Sequence, residues 1–329
     1  MKKNTIITIA AAAAAALAVL LLLFPLLSRL VFGRSQAATL FMAQLGKSPY
    51  TTEERFQDYL SEMREENLAP YTIPEEVEIT ADITEESIAG VQFFSMNRDL
   101  NQERTVFYFP GGSYISQPSV THWEFLDRLA ADLGCAVIVP IYPKLPDNDA
   151  ETSYAVMEAA YAEYLADNDR GEIVFMGDSA GGGYALSFAM QLRDAGLPGP
   201  DKLILICPWV DVALTNPEIA VYEKKDPTLD SAQLRHLGEL WAGELDPEAP
   251  VVSPLYGSHT GLGTITLFTG TCELLYPDIM LLSDKLAEEG VGHHLVRMDG
   301  MFHVWPLYIA YSIPESAEAY ELILQDVLN

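Results

Sequence analysis

Gly177-Asp178-Ser179-Ala180-Gly181-Gly182 lies between two short apolar runs, Ile173-Val174-Phe175-Met176 before it and Tyr184 to Met190 after it. The first run reads as a buried strand and the second as a buried helix. Few chain paths satisfy strand, G-x-S-x-G and helix in immediate succession. The reversal forces the serine into a strained backbone, and Gly177 and Gly181 keep side chains out of the crowded space around it. The hydroxyl of Ser179 would then stand at the start of a helix, where backbone N–H groups favour developing negative charge. A plain Gly-rich turn capped by Asp178 or Ser179 has the same letters, so the motif acquires meaning only from partners elsewhere in the chain.

The surrounding pattern alternates. Thr105 to Phe109, Ala136 to Val139, Ile173 to Met176, Leu203 to Ile206, Ile265 to Phe268 and His294 to Arg297 read as strands. Trp123 to Leu133, Ala155 to Leu165, Gly183 to Leu192, Ile279 to Leu286 and Ala317 to Val327 read as the helices between and after them. Such alternation predicts an α/β fold with a mostly parallel sheet covered on both faces. Val77 to Thr80 and Val91 to Phe94 add short strands in front. Glu53 to Leu68 predicts an amphipathic helix, with Phe56, Tyr59, Leu60 and Met63 on one face, ended by Pro70 and Pro74. Val212 to Pro254 lacks strand character; Leu234, Leu237 and Trp241 give one helical apolar face, and five prolines break the stretch.

Four units follow: an N-terminal segment over 1–34, helices and linker over 35–75, the α/β domain over 76–329, and an insertion over about 212–254 inside it. The insertion and the 35–75 segment are expected to form a helical cap. Asn4 to Ser28 carries no charge, and Ile6 to Leu27 is almost wholly apolar after Lys2 and Lys3. As a helix it spans roughly 33 Å, close to a bilayer core. This predicts a single-pass anchor in the cell membrane with the domain outside the cytoplasm. The alternative is secretion after cleavage near Ala37, in Ser35-Gln36-Ala37.

The formal charge of the chain is -28, from 19 basic and 47 acidic residues. So acidic a surface repels nucleic acid and disfavours strongly anionic substrates at encounter. Cys135, Cys207 and Cys272 lie far apart, with no zinc spacing, and read as reduced thiols.

A serine nucleophile needs a base, an orienting acid and an oxyanion hole. His303, in Gly300-Met301-Phe302-His303, follows the last predicted strand. The other histidines fall in helix starts or loops, or precede a strand. Glu273 comes just past the Ile265 to Phe268 strand, with Asp278 five residues on as the second candidate acid. Ser179, Glu273 and His303 occur in the order serine, acid, histidine, each at the carboxyl end of a strand, where open α/β sheets bind ligands. Gly111 and Gly112, directly after Thr105 to Phe109, together with Ala180, would supply oxyanion N–H groups.

The chain resembles the hormone-sensitive-lipase-like esterases of the α/β-hydrolase fold. The resemblance rests on Pro110-Gly111-Gly112-Ser113-Tyr114, Gly177-Asp178-Ser179-Ala180-Gly181-Gly182, Cys207-Pro208-Trp209-Val210-Asp211, Val252-Ser253-Pro254-Leu255-Tyr256 and Gly300-Met301-Phe302-His303. These five motifs stand in the family's order and span roughly Ile73 to Leu328. The resemblance implies hydrolysis of short- to medium-chain carboxylic esters through an acyl-enzyme, with a small-molecule ester as substrate and no metal or organic cofactor. It also implies a cap built from the N-terminal helices and part of the insertion. Two departures stand out. Pro110 and Ser113 replace the histidine and last glycine usual in the oxyanion motif, and Glu273 replaces the usual aspartate. Two other readings of such a fold are a non-catalytic small-molecule-binding module, against which His303 argues, and a serine peptidase, for which no separate peptide-binding domain is visible.

Overall fold

The apolar runs assemble into one sheet. The computed structural model describes residues 23–47, 52–167 and 171–329. Its strands are β1 (Ile83–Ile88), β2 (Val91–Met96), β3 (Asn101–Phe109), β4 (Cys135–Ile141), β5 (Glu172–Asp178), β6 (Lys202–Ile206), β7 (Thr264–Gly270) and β8 (His293–Met298). They lie in the order β1-β2-β4-β3-β5-β6-β7-β8. From β4 to β8 all neighbours are parallel, and β1 and β2 form an antiparallel hairpin at one edge. The chain leaves β3 for β4 on one side and returns to β5 on the other. The crevice beyond the ends of β3 and β5 is therefore the switch point at which such sheets bind ligands.

The helices are α1 (Gln36–Met42), α2 (Glu53–Leu68), α3 (Val120–Leu133), α4 (Ala150–Asp167), α5 (Ser179–Asp194), α6 (Ile219–Tyr222), α7 (Ser231–Ala242), α8 (Tyr276–Glu288) and α9 (Pro314–Leu328). Helix α5 is the central one. All its residues from Ser179 to Met190 are buried, as a helix apolar all round must be. Phe109, Phe175 and Phe188 pack edge-on or stacked between it and the sheet, with centroids 5.2–6.1 Å apart. Packing of this kind adds aromatic geometry to plain area burial.

The expected strand at Val77 to Thr80 does not form. Those residues run as irregular chain beside α3, where Asp127 accepts the Thr80 N–H and hydroxyl, both at 2.8 Å. The edge strand is instead β1, whose Ile-Thr-Glu-Glu-Ser-Ile sequence is too polar to read as a buried run. Its carboxylates suit an edge, where charge discourages pairing with another chain. A two-residue turn at Ala89 and Gly90, with φ of 46° and 84°, joins it to β2.

The expectation of a cell-membrane anchor is corrected. Among the described residues no helix is long and apolar enough to cross a membrane. Most of Ile6 to Leu27 lies in residues 1–22, outside the described part. The described remainder is helical over 23–32 only, about 15 Å of rise against a hydrocarbon core of about 30 Å. The cleavage region expected around Ala37 is part of the folded body. Ser35 caps α1 by accepting the Ala38 N–H at 3.1 Å, and its own N–H donates to Glu315 at 2.6 Å. Arg34 donates to the Gly300 carbonyl at 2.9 Å, just ahead of His303.

Candidate active site

Ser179 opens α5 with φ of +52°, the left-handed region that β-carbon-bearing residues avoid. The surrounding glycines explain how the turn is tolerated. A β-carbon at Gly181 would lie 1.9 Å from the Phe109 carbonyl oxygen, and one at Gly177 would lie 2.4 Å from the Gly181 carbonyl. No side chain fits at either place. The Ser179 carbonyl is held from the far side by the Trp209 N–H at 2.8 Å.

His303 Nε2 lies 2.9 Å from Ser179 Oγ, and its Nδ1 lies 2.7 Å from Glu273 Oε2. The second Glu273 oxygen, Oε1, accepts the Thr269 hydroxyl at 2.8 Å and the Gly270 N–H at 2.7 Å. Each residue follows a strand end: Ser179 after β5, Glu273 after β7, His303 after β8. Burial alone would push the imidazole of His303 toward neutrality. The hydrogen bond and negative charge of Glu273 outweigh it and raise the pKa above its ordinary 6.5. Asp278, the second candidate acid, does not reach the histidine. It sits in the first turn of α8, 1% exposed, and neither carboxylate oxygen has a hydrogen-bond partner among the described residues. Burial, with the charge of Asp211, pushes its pKa up to about 7; the nearby Asn216 offsets only part of this.

The glycine loop after β3 differs from expectation in one donor. The Gly111 N–H donates to Asp178 Oδ1 at 2.9 Å and is therefore engaged away from any oxyanion. Among the described residues the N–H groups of Gly112 and Ser113 have no acceptor. Gly112, Ser113 and Tyr114 all have positive φ, 121°, 54° and 61°, so the loop turns back on itself. The Ile115 and Ser116 N–H groups close the turn on the Gly112 carbonyl at 3.0 and 2.9 Å. Below it, the Tyr142 hydroxyl donates to the Pro110 carbonyl at 2.7 Å. Behind it, Tyr114 stacks on Trp241 of α7 with parallel rings 4.2 Å apart and on Trp209 at 5.4 Å.

Asp178, His122, Tyr108 and Cys207 were not legible as part of the site. Asp178 Oδ1 accepts the Tyr108 hydroxyl at 2.7 Å, and His122 Nε2 lies 3.2 Å from the same oxygen. Burial would raise this carboxyl, but His122, Tyr108 and the Gly111 amide more than offset that and hold its pKa low. The acid before the nucleophile was one available signal. His122, far from any strand end in sequence, is carried there by the start of α3. Cys207 follows β6 with φ of +49°, and its sulfur accepts the Val304 N–H at 3.3 Å. Cys207, Glu273 and His303 are the one group of three metal-ligand-type side chains among the described residues, with ligand atoms within 4.8 Å of one another. Burial and the charge of Glu273 push the Cys207 thiol well up, so it stands neutral beside the acid.

Residues 106–307 match the family model described as the alpha/beta hydrolase fold. An acetyl-hydrolase of Streptomyces hygroscopicus is 31% identical over 220 residues, covering 67% of this chain and 73% of that protein. A candidate esterase of known structure from Staphylococcus aureus superposes with a TM-score of 0.81 at 25% identity, over 88% of this chain and 98% of the other. An esterase structure from the bacterial hormone-sensitive lipase family has a TM-score of 0.71 at 24% identity, over 84% and 98% of the two chains. The chain belongs to the hormone-sensitive-lipase-like esterases of the α/β-hydrolase fold and is a carboxylic ester hydrolase.

Proposed function

We propose that the protein hydrolyses short- to medium-chain carboxylic esters through an acyl-enzyme intermediate on Ser179. The observation carrying this reading is the continuous hydrogen-bonded line from Ser179 Oγ through both nitrogens of His303 to Glu273. In the first step Oγ attacks the ester carbonyl while His303 Nε2 takes its proton. The negative charge that forms on the carbonyl oxygen is received by the N–H groups of Gly112, Ser113 and Ala180. The last lies at the positive end of α5. Collapse expels the alcohol, which takes the proton back from His303. Water, deprotonated by the same nitrogen, then releases the acid and frees Ser179. Glu273 holds the imidazole in one orientation and balances its charge while it is protonated.

The preference for shorter acyl chains is supported by the acetyl-hydrolase relative and by the aromatic crowding beside His303. Phe41 of α1 lies against Phe302 and Tyr308 at 5.4 and 4.9 Å between centroids. The 35–75 segment and the 212–254 insertion would together form the cap. Supporting this, Phe56 stacks on His236 at 4.1 Å, and Lys47 donates to the Glu223 carbonyl at 3.1 Å. The test is a panel of nitrophenyl esters of increasing acyl length, with fluorophosphonate labelling, on wild type and Ser179→Ala. Turnover and labelling should vanish in the variant, and wild-type kcat/KM should fall beyond medium chains. A variant that keeps near wild-type turnover, or a maximum on long chains, overturns the corresponding half of the reading.

A further inference from the structure

A cavity of about 480 Å³ lies away from Ser179, walled by the end of α2 and its linker, the β1–β2 hairpin and the loop after β4. Lys144 lines it and is only 3% exposed. A buried lysine is expected to have a carboxylate partner. This one has none among the described residues. Its Nζ donates to the Tyr142 carbonyl at 3.1 Å and rests on the Tyr142 ring, 4.2 Å from the centroid. Burial lowers its pKa to about 7, with Glu66 opposing only in part.

Two further atoms on the same wall lack what their chemistry needs. Among the described residues, Asn67 Oδ1 and Gln117 Oε1 are buried acceptors with no donor. The orientation of Asn67 is fixed, because its amide nitrogen donates to the Ile115 and Leu145 carbonyls, both at 2.7 Å. Flipping the amide would set oxygen against two oxygens, so the cavity presents an acceptor there and not a donor. Glu85 also stands on the wall, and the chain carries a net charge of -28, which disfavours an anionic guest. The complementary molecule is neutral, carries hydroxyl donors for the two amide oxygens, and offers an electrophile to an uncharged amine.

We propose that this cavity binds a small hydroxyaldehyde and that Lys144 Nζ captures its carbonyl carbon as an imine. The nitrogen lone pair adds to the carbonyl carbon, and a proton passes from nitrogen to oxygen to give a carbinolamine. Loss of water then forms the C=N bond. The step is reversible and needs no oxidant. The hydroxyls donate to Asn67 Oδ1 and Gln117 Oε1, which sets the preference over an unsubstituted aldehyde.

The full chain would be incubated with glyceraldehyde and cyanoborohydride, which reduces the imine to a stable secondary amine, and the adducts mapped by peptide mass. Near pH 7 roughly half of Lys144 is uncharged, against fewer than about one in a thousand for an ordinary lysine, so its labelling should exceed that of any other lysine by at least about tenfold. Propanal, which lacks the hydroxyls, should label roughly tenfold less, the equivalent of two modest hydrogen bonds. Lys144→Met, which keeps the length of the side chain and buries no charge, should lose the adduct and retain ester turnover, showing that the fold survives. Labelling spread over the exposed lysines overturns the proposal. Equal labelling by propanal overturns the hydroxyaldehyde as its guest.

Discussion

Asp178 Oδ1 accepts the N–H of Gly111 at 2.9 Å, so the residue before Ser179 holds the loop in front of it. The same oxygen takes the Tyr108 hydroxyl, and His122 steadies the carboxylate from α3. The loop's neighbours Gly112 and Ser113 are thereby aimed by a group that touches neither substrate nor nucleophile. Asp178→Ala leaves the Gly111 amide and the Tyr108 hydroxyl buried without an acceptor. Turnover should fall by roughly 10²–10³, the usual consequence of losing an oxyanion donor, with KM little changed. Asp178→Asn keeps an acceptor oxygen and should lose less than about tenfold. Steady-state kinetics on a short-chain nitrophenyl ester check both. Equal losses in the two variants would mean that charge, not positioning, is what Asp178 supplies.

Glu273 and Asp278 are both buried acids near the ends of β7 and α8, but only Glu273 reaches His303. Glu273→Gln should lower kcat by roughly 10⁴, the scale seen when an imidazole loses its orienting carboxylate. Asp278→Asn should stay within about tenfold of wild type, since it touches no reacting group. The opposite ranking in kcat would transfer the orienting role to Asp278.

In the proposed mechanism His303 acts as a base, which requires the neutral ring. Glu273 raises its pKa above 6.5, so kcat/KM should rise with pH through a midpoint above that value and reach a plateau beyond it. Replacing Glu273 by Gln leaves burial, which favours the neutral ring, without its counterweight. The residual activity of that variant should then rise at lower pH than wild type. A pH–rate profile measured on a neutral ester gives both midpoints, and a variant midpoint above the wild-type one would contradict this assignment of causes.

Asp278 makes a prediction about stability. Its folded pKa, about 7, stands above the ordinary 3.8, so the native state binds a proton that the unfolded chain has already released between those values. The favourable contribution is full below the unfolded value and is lost as pH rises through about 7. Asp278→Asn should therefore match wild type near pH 4 and exceed it near pH 8, by on the order of 4 kcal/mol. Urea unfolding at the two pH values measures the difference; a variant less stable than wild type at the higher pH would count against a buried, uncompensated carboxylate.

Most of the sheet and all three residues of the Ser179–His303–Glu273 line were readable from the sequence, because buried parallel strands are continuous apolar runs and their ends are sharply marked. What escaped reading was held by contacts that spacing does not encode. β1 is polar because an edge strand faces water, so its alternation carried no hydrophobic signal. Gly111 looked like an oxyanion donor because its sequence position suits one, but which of three consecutive N–H groups is free depends on Asp178, 67 residues away. His122 looked remote from every strand end, yet the first turn of α3 points it at the nucleophile's neighbour. The apolar N-terminal stretch showed length and hydropathy clearly. In the described part the helix stops at residue 32, and the chain then packs through Arg34 and Ser35.

The parallel stack of Tyr114 on Trp241 joins the glycine loop after β3, the proposed oxyanion loop, to the insertion helix as one piece. A substrate too bulky for the space present cannot be admitted by swinging that helix outward without dragging the loop from its place. Selectivity against bulk on this side would then be exercised during reaction more than during capture. An oversized ester would still find the enzyme, and would be turned over slowly instead of being kept out.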